Sequence, residues 1–345
     1  MVSPIMRARA AGIAAGLLAD AVLGDPQRWH PVAGFGGAAA RFERITYADS
    51  RWAGTVHTGG LLTALAFGGV AAERAAARRG PLATATLTAA TTFVAAGGTS
   101  LSRVGARLSH LLDRDDVDGG RLLLPSLCGR DPSVLDAAGL TRAATESIAE
   151  NTSDAQVAPL LWAAVAGVPG LLVYRGANTL DAMIGNRSPR YARFGWAAAR
   201  FDDVLNYVPA RASGVLTAVC APVVGGSPTA ALRAWRHDAR RHPSPNAGVA
   251  EAAFAGALGV RLGGPTQYAH ELEIRPTLGD GRSPAVADLR RAVRLSRAVQ
   301  TAAGVLAVVV SAAGRSGRRA CPRELRVPVT GRRPCRGDAG GSRRR

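Results

Sequence analysis

Val157-Ala-Pro-Leu-Leu-Trp-Ala-Ala-Val-Ala-Gly-Val-Pro-Gly-Leu-Leu-Val-Tyr174 is apolar enough for a membrane interior, yet it carries Pro159, Gly167, Pro169 and Gly170. A straight lipid-exposed helix would leave backbone groups unsatisfied at such positions, where no water reaches them. The run therefore predicts a broken or re-entrant helix buried in protein. Immediately before it stands the polar stretch Glu146-Ser-Ile-Ala-Glu-Asn-Thr-Ser-Asp154. Glu146 and Glu150 are four apart and share a helix face, while Asn151, Thr152, Ser153 and Asp154 crowd further oxygens around the helix end. Helix capping is the plain reading of these oxygens; a ligand site against a membrane-like segment is the sharper one.

The rest of the chain has the same segregated texture. Of 345 residues 47% are hydrophobic and 20% charged, and the mean hydropathy of +0.06 is high for that much charge because apolar blocks alternate with Arg-rich ones. This predicts an all-α, multi-pass helical membrane protein with broken or re-entrant helices and amphipathic, cytosol-facing helices. All 43 basic residues are Arg, which excludes a P-loop lysine, a Schiff-base lysine and a lysine general base. About half of the net charge of +18 comes from the stretch after Gly314, where eleven Arg face only Glu324 and Asp338. The remaining surplus suits loops facing anionic lipid or substrate, and no nucleic-acid partner is expected. Cys128, Cys220, Cys321 and Cys335 show no metal or disulfide spacing, and no pattern around Cys128 supports a nucleophile.

Residues 10–24, after Arg7 and Arg9, superficially resemble a signal peptide, but Asp20 and the lack of a clean cleavage site before Gly24-Asp-Pro26 argue for a retained helix. The turn that follows offers Asp25, Arg28 and His30. Runs 54–72 and 82–98 suit two transmembrane helices joined by a basic loop, Glu73 to Gly80, which the positive-inside rule puts in the cytoplasm. Residues 103–144 read as amphipathic, with Gly129-Arg-Asp-Pro132 able to start a helix. Residues 213–226 form another apolar run, too short to span comfortably, and 298–313 form the last. Gly263 and Gly264 suit a close backbone approach to a ligand, and Tyr268 with Glu271 to Thr277 reads as exposed chain. Residues 314–345 lack periodicity and predict a disordered tail behind a single membrane domain of residues 1–313.

Three more polar clusters join the first. Asn178 and Asp181 share a helix face and are followed by Asn186-Arg-Ser-Pro-Arg-Tyr-Ala-Arg193; Asp202, Asp203 and Asn206 precede Arg211; and His242-Pro-Ser-Pro-Asn-Ala-Gly248 is a proline-set loop that aims His242, Ser244 and Asn246. Carboxylates and amides at helical spacing beside Arg are what a magnesium–phosphate site uses: hard oxygens for the metal and guanidinium forks for phosphate. Each cluster alone is more simply a capped or solvated helix end, and His242 alone a loop hydrogen-bonder. Four of them interleaved with membrane-type segments favour one shared site.

Taken in order, Gly24-Asp-Pro with His30-Pro31, Glu146 to Asp154 with Ala158-Pro-Leu, Asn178-Thr-Leu-Asp181, Arg193-Phe-Gly-Trp-Ala-Ala-Ala-Arg200, Asp202-Asp-Val-Leu-Asn-Tyr-Val-Pro-Ala-Arg211, the His242 loop and Gly256-Ala-Leu-Gly-Val-Arg-Leu-Gly-Gly-Pro265 form a specific string. From about Ala11 to about Ala313 the chain resembles the CobD/CbiB family of cobalamin biosynthesis, adenosylcobinamide-phosphate synthase. The resemblance implies an amide-forming ligase of the cell membrane. It would join (R)-1-amino-2-propanol phosphate, or the free amino alcohol, to the propionate carboxylate of the corrinoid substrate adenosylcobyric acid, giving adenosylcobinamide phosphate. ATP and Mg²⁺ are the implied activators; the lipid bilayer and other cobalamin-biosynthesis enzymes are the implied partners. Two departures stand out: Ala155 where the family usually has Gly, and an Arg-rich tail where it has an apolar membrane segment.

Amide formation at neutral pH needs an activated acyl group, for instance an acyl phosphate, an oriented amine and an acceptor for its proton. On this reading Asp154, Asp181, Asp202 and Asp203 hold the metal. Asn151, Thr152, Ser153, Asn178, Arg193, Arg200, Asn206, Arg211, Ser244 and Asn246 bind substrate and phosphate, and Glu146, Glu150 and His242 are catalytic. All can meet only if 157–174 and 213–226 are re-entrant; full spans would put residues 178–211 on the side opposite Glu146 and His242. A prenyltransferase-like Mg²⁺-dependent membrane enzyme and a non-catalytic membrane scaffold of corrinoid synthesis are the alternatives.

Overall fold

The computed structural model of the protein describes residues 3–24, 30–186, 188–267 and 272–313. In chain order these form α1 (Pro4–Leu23), α2 (Pro31–Thr46), α3 (Arg51–Arg79), α4 (Pro81–Ala95), α5 (Gly98–Leu112), α6 (Val117–Leu123), α7 (Ala137–Thr152), α8 (Ala158–Ile184), α9 (Trp196–Cys220), α10 (Pro228–Asp238), α11 (Ala247–Leu258), the strands β1 (Leu262–Gln267) and β2 (Leu272–Leu278), and α12 (Val286–Ala313). The expected tail, the turn residues Asp25 and Arg28, and Tyr268 with Glu271 lie outside the described residues.

The protein is an all-α, multi-pass membrane protein with one small β-hairpin. Four helical stretches are long and apolar enough to cross a bilayer: Arg51–Arg79, Ala137–Ile184, Trp196–Val224 and Val286–Ala313. Helix α9 shows the inverted amphipathicity expected there. Its Asp202, Asn206, Ser213 and Thr217 are buried, while Val204, Val208, Val215 and Val219 stand exposed on the outer face. In water that arrangement would be upside down; in lipid it hides the polar face and solvates the apolar one.

The middle of the chain is a helical hairpin. A single π-turn, Ser153–Val157, links α7 to α8, and α8 is broken at Gly167, whose φ of 66° and ψ of −155° are open to glycine and little else. The break lies at Gly167, not at Pro159. A proline removes the N–H that would serve the carbonyl four residues back, and the carbonyl of Ala155 instead accepts from Gly97 N at 3.1 Å. Ala155 has an ordinary negative φ, so a Cβ is accommodated in place of Gly. The same device rescues Pro209 inside α9: the carbonyl of Leu205 accepts from Trp162 Nε1 at 3.2 Å. Hence 213–226 is not a separate short run; it continues the helix that carries Asp202 and Asn206. Trp162→Phe keeps the ring and deletes the donor. It is expected to cost about 1–3 kcal/mol, read as a lower unfolding midpoint in detergent, and an unchanged midpoint would show that Leu205 needs no substitute donor.

Both arms run back from Gly167 to one end. At about 1.5 Å per residue, Asp154 and Asp181 each lie about 20 Å from the break, and the Tyr174 hydroxyl sits 2.8 Å from the Asp154 carbonyl, which fixes the arms antiparallel. A side chain at Gly167 would collide with Glu73 and Arg9, which pair at 2.6 Å. The expected basic loop at 73–80 is therefore the end of α3, turned into α4 by Gly80 alone. Its Ala/Arg composition favours helix, and Arg78 and Arg79 complement the C-terminal dipole. This end lies about 20 Å along the hairpin from the acidic cluster.

Other expectations shift for similar reasons. Helix α7 starts at Ala137 because Asp136 caps it, accepting from Gly139 N at 2.7 Å, rather than at the 129–132 turn. Residues 272–278, expected as exposed chain, form β2, paired antiparallel with β1 in the register Gly264↔Arg275 and Thr266↔Glu273. Around this frame α1 packs on α4 and α12, with Gly12 and Gly16 letting the α4 backbone approach closely. Buried Asp20 ties α1 to α5 and α12, accepting from Thr99 Oγ1 at 3.0 Å and Gln300 Nε2 at 3.1 Å. The main core runs through Ile13, Leu108, Leu140, Ile148, Leu160, Phe254 and Val299.

Candidate functional site

The inner face of α9 meets the two hairpin arms in a carboxylate-rich locus. Asp202 is 8% exposed; its Oδ2 accepts from Asn206 Nδ2 at 2.9 Å and its Oδ1 has no hydrogen-bond partner among the described residues. Asp154 lies within electrostatic reach of Asp202, Glu150 and Asp181, and Asp181 within reach of Asp203 and Glu150. Asn178 adjoins Asp202, and Arg175 Nη1 donates to Asn178 Oδ1 at 3.3 Å. Buried Tyr174 closes the locus from beneath, its hydroxyl 2.9 Å from Asn206 Oδ1. Like charges so close at low dielectric repel one another, and a shared proton or a cation would relieve the repulsion.

A second layer adjoins the first through Glu150, which interacts with Arg275, Arg130 and Glu146. Glu146 forms a buried ion pair with Arg130, and its Oε1 accepts from Gly263 N at 2.7 Å. The left-handed Gly263, φ 84°, brings the backbone close to Glu146 and to the Pro276 carbonyl. With a contact at each oxygen, Glu146 clamps the hairpin to Arg130. Glu251 on α11 is fully buried, and neither oxygen has a hydrogen-bond partner among the described residues. His242 Nε2 lies 3.6 Å and Arg275 Nη1 3.7 Å from Glu251 Oε1.

Helix α11 is too short to span a bilayer, and burial sets the titration of this pair. Burial pushes the Glu251 carboxyl well up, reinforced by Glu146 and Glu150 and opposed by Arg275 and Arg130. Burial also holds His242 below the usual imidazole range, although its bond to Ser244 and the charge of Glu273 pull the other way. The result is a neutral imidazole beside a carboxyl that favours its proton. Nδ1 of His242 lies 3.1 Å from both the N–H and the carbonyl of Ser244, so either tautomer is served. Burial raises the Cys128 thiol as well, against the pull of Arg130, and leaves it a poor nucleophile.

The linkage signs follow. Between the depressed His242 value and about 6.5 in the unfolded chain the unfolded state binds more protons, so this residue costs stability as pH falls through that range. Glu251 acts oppositely: the folded state holds the extra proton above about 4.3, so stability declines as pH rises toward its elevated value. We expect His242→Gln to flatten the acid side of a melting-temperature profile and Glu251→Gln the alkaline side. Unchanged profiles would contradict the buried neutral pair.

Not every expected residue joins this locus. Asn246 does: Oδ1 accepts from Arg211 Nη1 at 2.7 Å and Nδ2 donates to the Asp203 carbonyl at 2.8 Å. Ser244 caps α11, accepting from Ala247 N at 3.2 Å. Thr152 faces away and bonds Ser296 on α12 at 2.7 Å and Asn151 turns back to the Ser147 carbonyl, whereas buried Ser153 stays beside the Asp154 carboxylate as a hydrogen-bonding neighbour. Arg193 is exposed and faces Asp49 at 3.6 Å; Arg200 is exposed, 3.5 Å from Asp203 at the rim. Tyr174, Glu251, Arg130 and Arg275 were missed. A lone Glu in the apolar run 247–258 is a readable signal; Arg130 gives none and Arg275 reads only as the partner of nearby Glu273, because Glu146 and Glu251 reach them only in the fold.

A family profile described as "CobD/Cbib protein" matches residues 13–296. The chain is 65% identical over 310 residues to "Cobalamin biosynthesis protein CobD" of Mycobacterium bovis, covering 90% of this chain and 98% of that one. It is 42% identical over 284 residues to the protein of the same name from Chromobacterium violaceum (81% and 89% covered) and 38% over 304 residues to that of Geobacter metallireducens (86% and 94%). No solved structure matches the chain.

Proposed function

The chain belongs to the CobD/CbiB protein family of cobalamin biosynthesis, and on that premise we propose that it is the ATP-dependent ligase that joins aminopropanol phosphate, or free aminopropanol, to the propionate carboxylate of adenosylcobyric acid at the cell membrane. The observation that carries this reading is the convergence of α7, α8, α9, the His242 loop and Arg275 on one buried acidic locus. Arg290, Arg294 and Arg297, on the half of α12 beside Thr152, support a cytosolic orientation of this end, where a nucleotide and a phosphorylated amine are available.

The donors fit Mg²⁺: hard oxygens, buried, with Asp202 Oδ1 lacking a partner among the described residues. Among the described residues no three acidic, histidine or cysteine side chains form a closed metal cage. Mg²⁺ is commonly held by one or two carboxylates, with phosphate oxygens and water completing its shell. One or two of Asp154, Asp181 and Asp202 would hold the ion, which when bound supplies charge neutralisation at phosphate oxygens. Arg130 and Arg275 balance the carboxylates around Glu150, and the Glu150 carboxylate and the His242 Nε2 are the groups that accept the proton released as the amine acylates.

The test is conversion by the full-length protein in detergent or nanodiscs. Adenosylcobyric acid with either amine should yield the amide, detected by mass, when ATP and Mg²⁺ are present. Corrinoid binding without amide from either amine would sink the ligase reading and leave a membrane scaffold.

A further inference from the structure

Beside the acidic locus, on the other side of His242, is a cavity of about 660 Å³ between α9, α10 and the His242 loop. Its walls include Tyr207, Arg211, Trp235, Arg236, Arg240 and His242, and no acidic side chain lines it. Helix α10 is polar and is not among the candidate spans, so the cavity opens to water rather than to lipid.

Two of its arginines are uncommitted. Arg236 and Arg240 are exposed and have no acidic partner among the described residues. The acid of this helix, Asp238, is turned away: it accepts from Gly279 N at 2.9 Å and pairs with Arg241 at 3.5 Å. Arg211 is preset. One nitrogen is shared between the Tyr207 carbonyl at 3.1 Å and Asn246 Oδ1 at 2.7 Å, and the guanidinium lies 3.7 Å over the Tyr207 ring. A guanidinium fixed in this way recognises phosphate oxygens with little further loss of side-chain entropy. Three guanidinium groups without a counter-charge ask for a polyanion, and the Tyr207 and Trp235 rings offer flat apolar contact beside it.

We propose that this cavity binds a nucleoside polyphosphate, with Arg211, Arg236 and Arg240 on the phosphates and Tyr207 and Trp235 against the base. The assignment rests on the nucleotide-dependent ligase reading and locates its nucleotide. A small phosphorylated amine would leave both rings and most of the volume unused; a corrinoid is far too large to enter. His242 forms the wall between this cavity and Glu251, and Asn246 links Arg211 to the Asp203 backbone, so phosphates held here would face the acidic locus.

The experiment is equilibrium binding of ATP and of inorganic tripolyphosphate to the full-length protein in nanodiscs of zwitterionic lipid, with no corrinoid present. Arg236→Ser and Arg240→Ser lie on the surface and should leave the melting temperature unchanged while weakening both probes by about 10-fold each. Trp235→Leu should weaken ATP by about 10-fold and spare tripolyphosphate. ATP affinity unchanged in the Arg236→Ser/Arg240→Ser variant overturns the site, and equal affinity of the wild type for ATP and tripolyphosphate overturns the nucleoside part. Nucleotide binding lost in these variants, in a wild type that makes no amide, upholds the cavity while rejecting the ligase reading.

Discussion

Asp202→Asn is expected to lower the rate of amide formation by about 10²–10⁴-fold while raising the melting temperature of the protein. The side chain is 8% exposed and stands among Asp154, Asp181 and Asp203, with one oxygen tied to Asn206 and the other open. Asparagine keeps the shape and the contact with Asn206 but removes a charge from a cluster of like charges. A residue kept for structure would be destabilised by that change; a residue kept for chemistry gains stability and loses rate. The paired readout separates the two, because a loss of activity with lowered stability would point to misfolding instead. Retention of activity within about 10-fold of the wild type would remove Asp202 from the site.

Arg130→Met should cost about 3–5 kcal/mol of stability, the largest effect expected outside the membrane-spanning helices. The Arg130 and Glu146 side chains are 7% and 1% exposed, so deleting the guanidinium leaves a buried carboxylate without its counter-charge. The same carboxylate holds the β-hairpin through Gly263 N, so the loss should also loosen Arg275 and the setting of Glu150. Denaturant titration in detergent measures it. Glu146→Gln combined with Arg130→Met should recover a large part of the loss, since no charge is then stranded; a double variant as unstable as the sum of the singles would show that the pair is not coupled.

Much of the site was legible because polar residues are conspicuous in an apolar chain. Asp154, Asp181, Asp202, His242 and Asn246 were each marked by local spacing and do come to one end of the bundle. What local spacing could not report is direction. Thr152, two residues before Asp154 in the same motif, faces α12 because side chains two apart on a helix point to different sides, and Arg193 sits on the surface beside Asp49. Glu146 reads as a proton acceptor, and the fold gives each of its oxygens a contact, Arg130 and Gly263, that local spacing does not show.

The sequence by itself determined the membrane-type helical class, the need for a broken helix between Glu146 and Asn178, the family, and the residue types available for chemistry, since all of these rest on composition, short-range periodicity and motif order. Tertiary structure alone decided where the helices break and which acids stay free. Pro159 and Pro209 do not interrupt their helices because Gly97 and Trp162, distant in sequence, donate to the carbonyls those prolines leave open. Gly167 does interrupt its helix, because its backbone takes a conformation that residues with a side chain avoid. A proline shows only that a hydrogen bond is missing; packing determines whether another donor arrives to replace it.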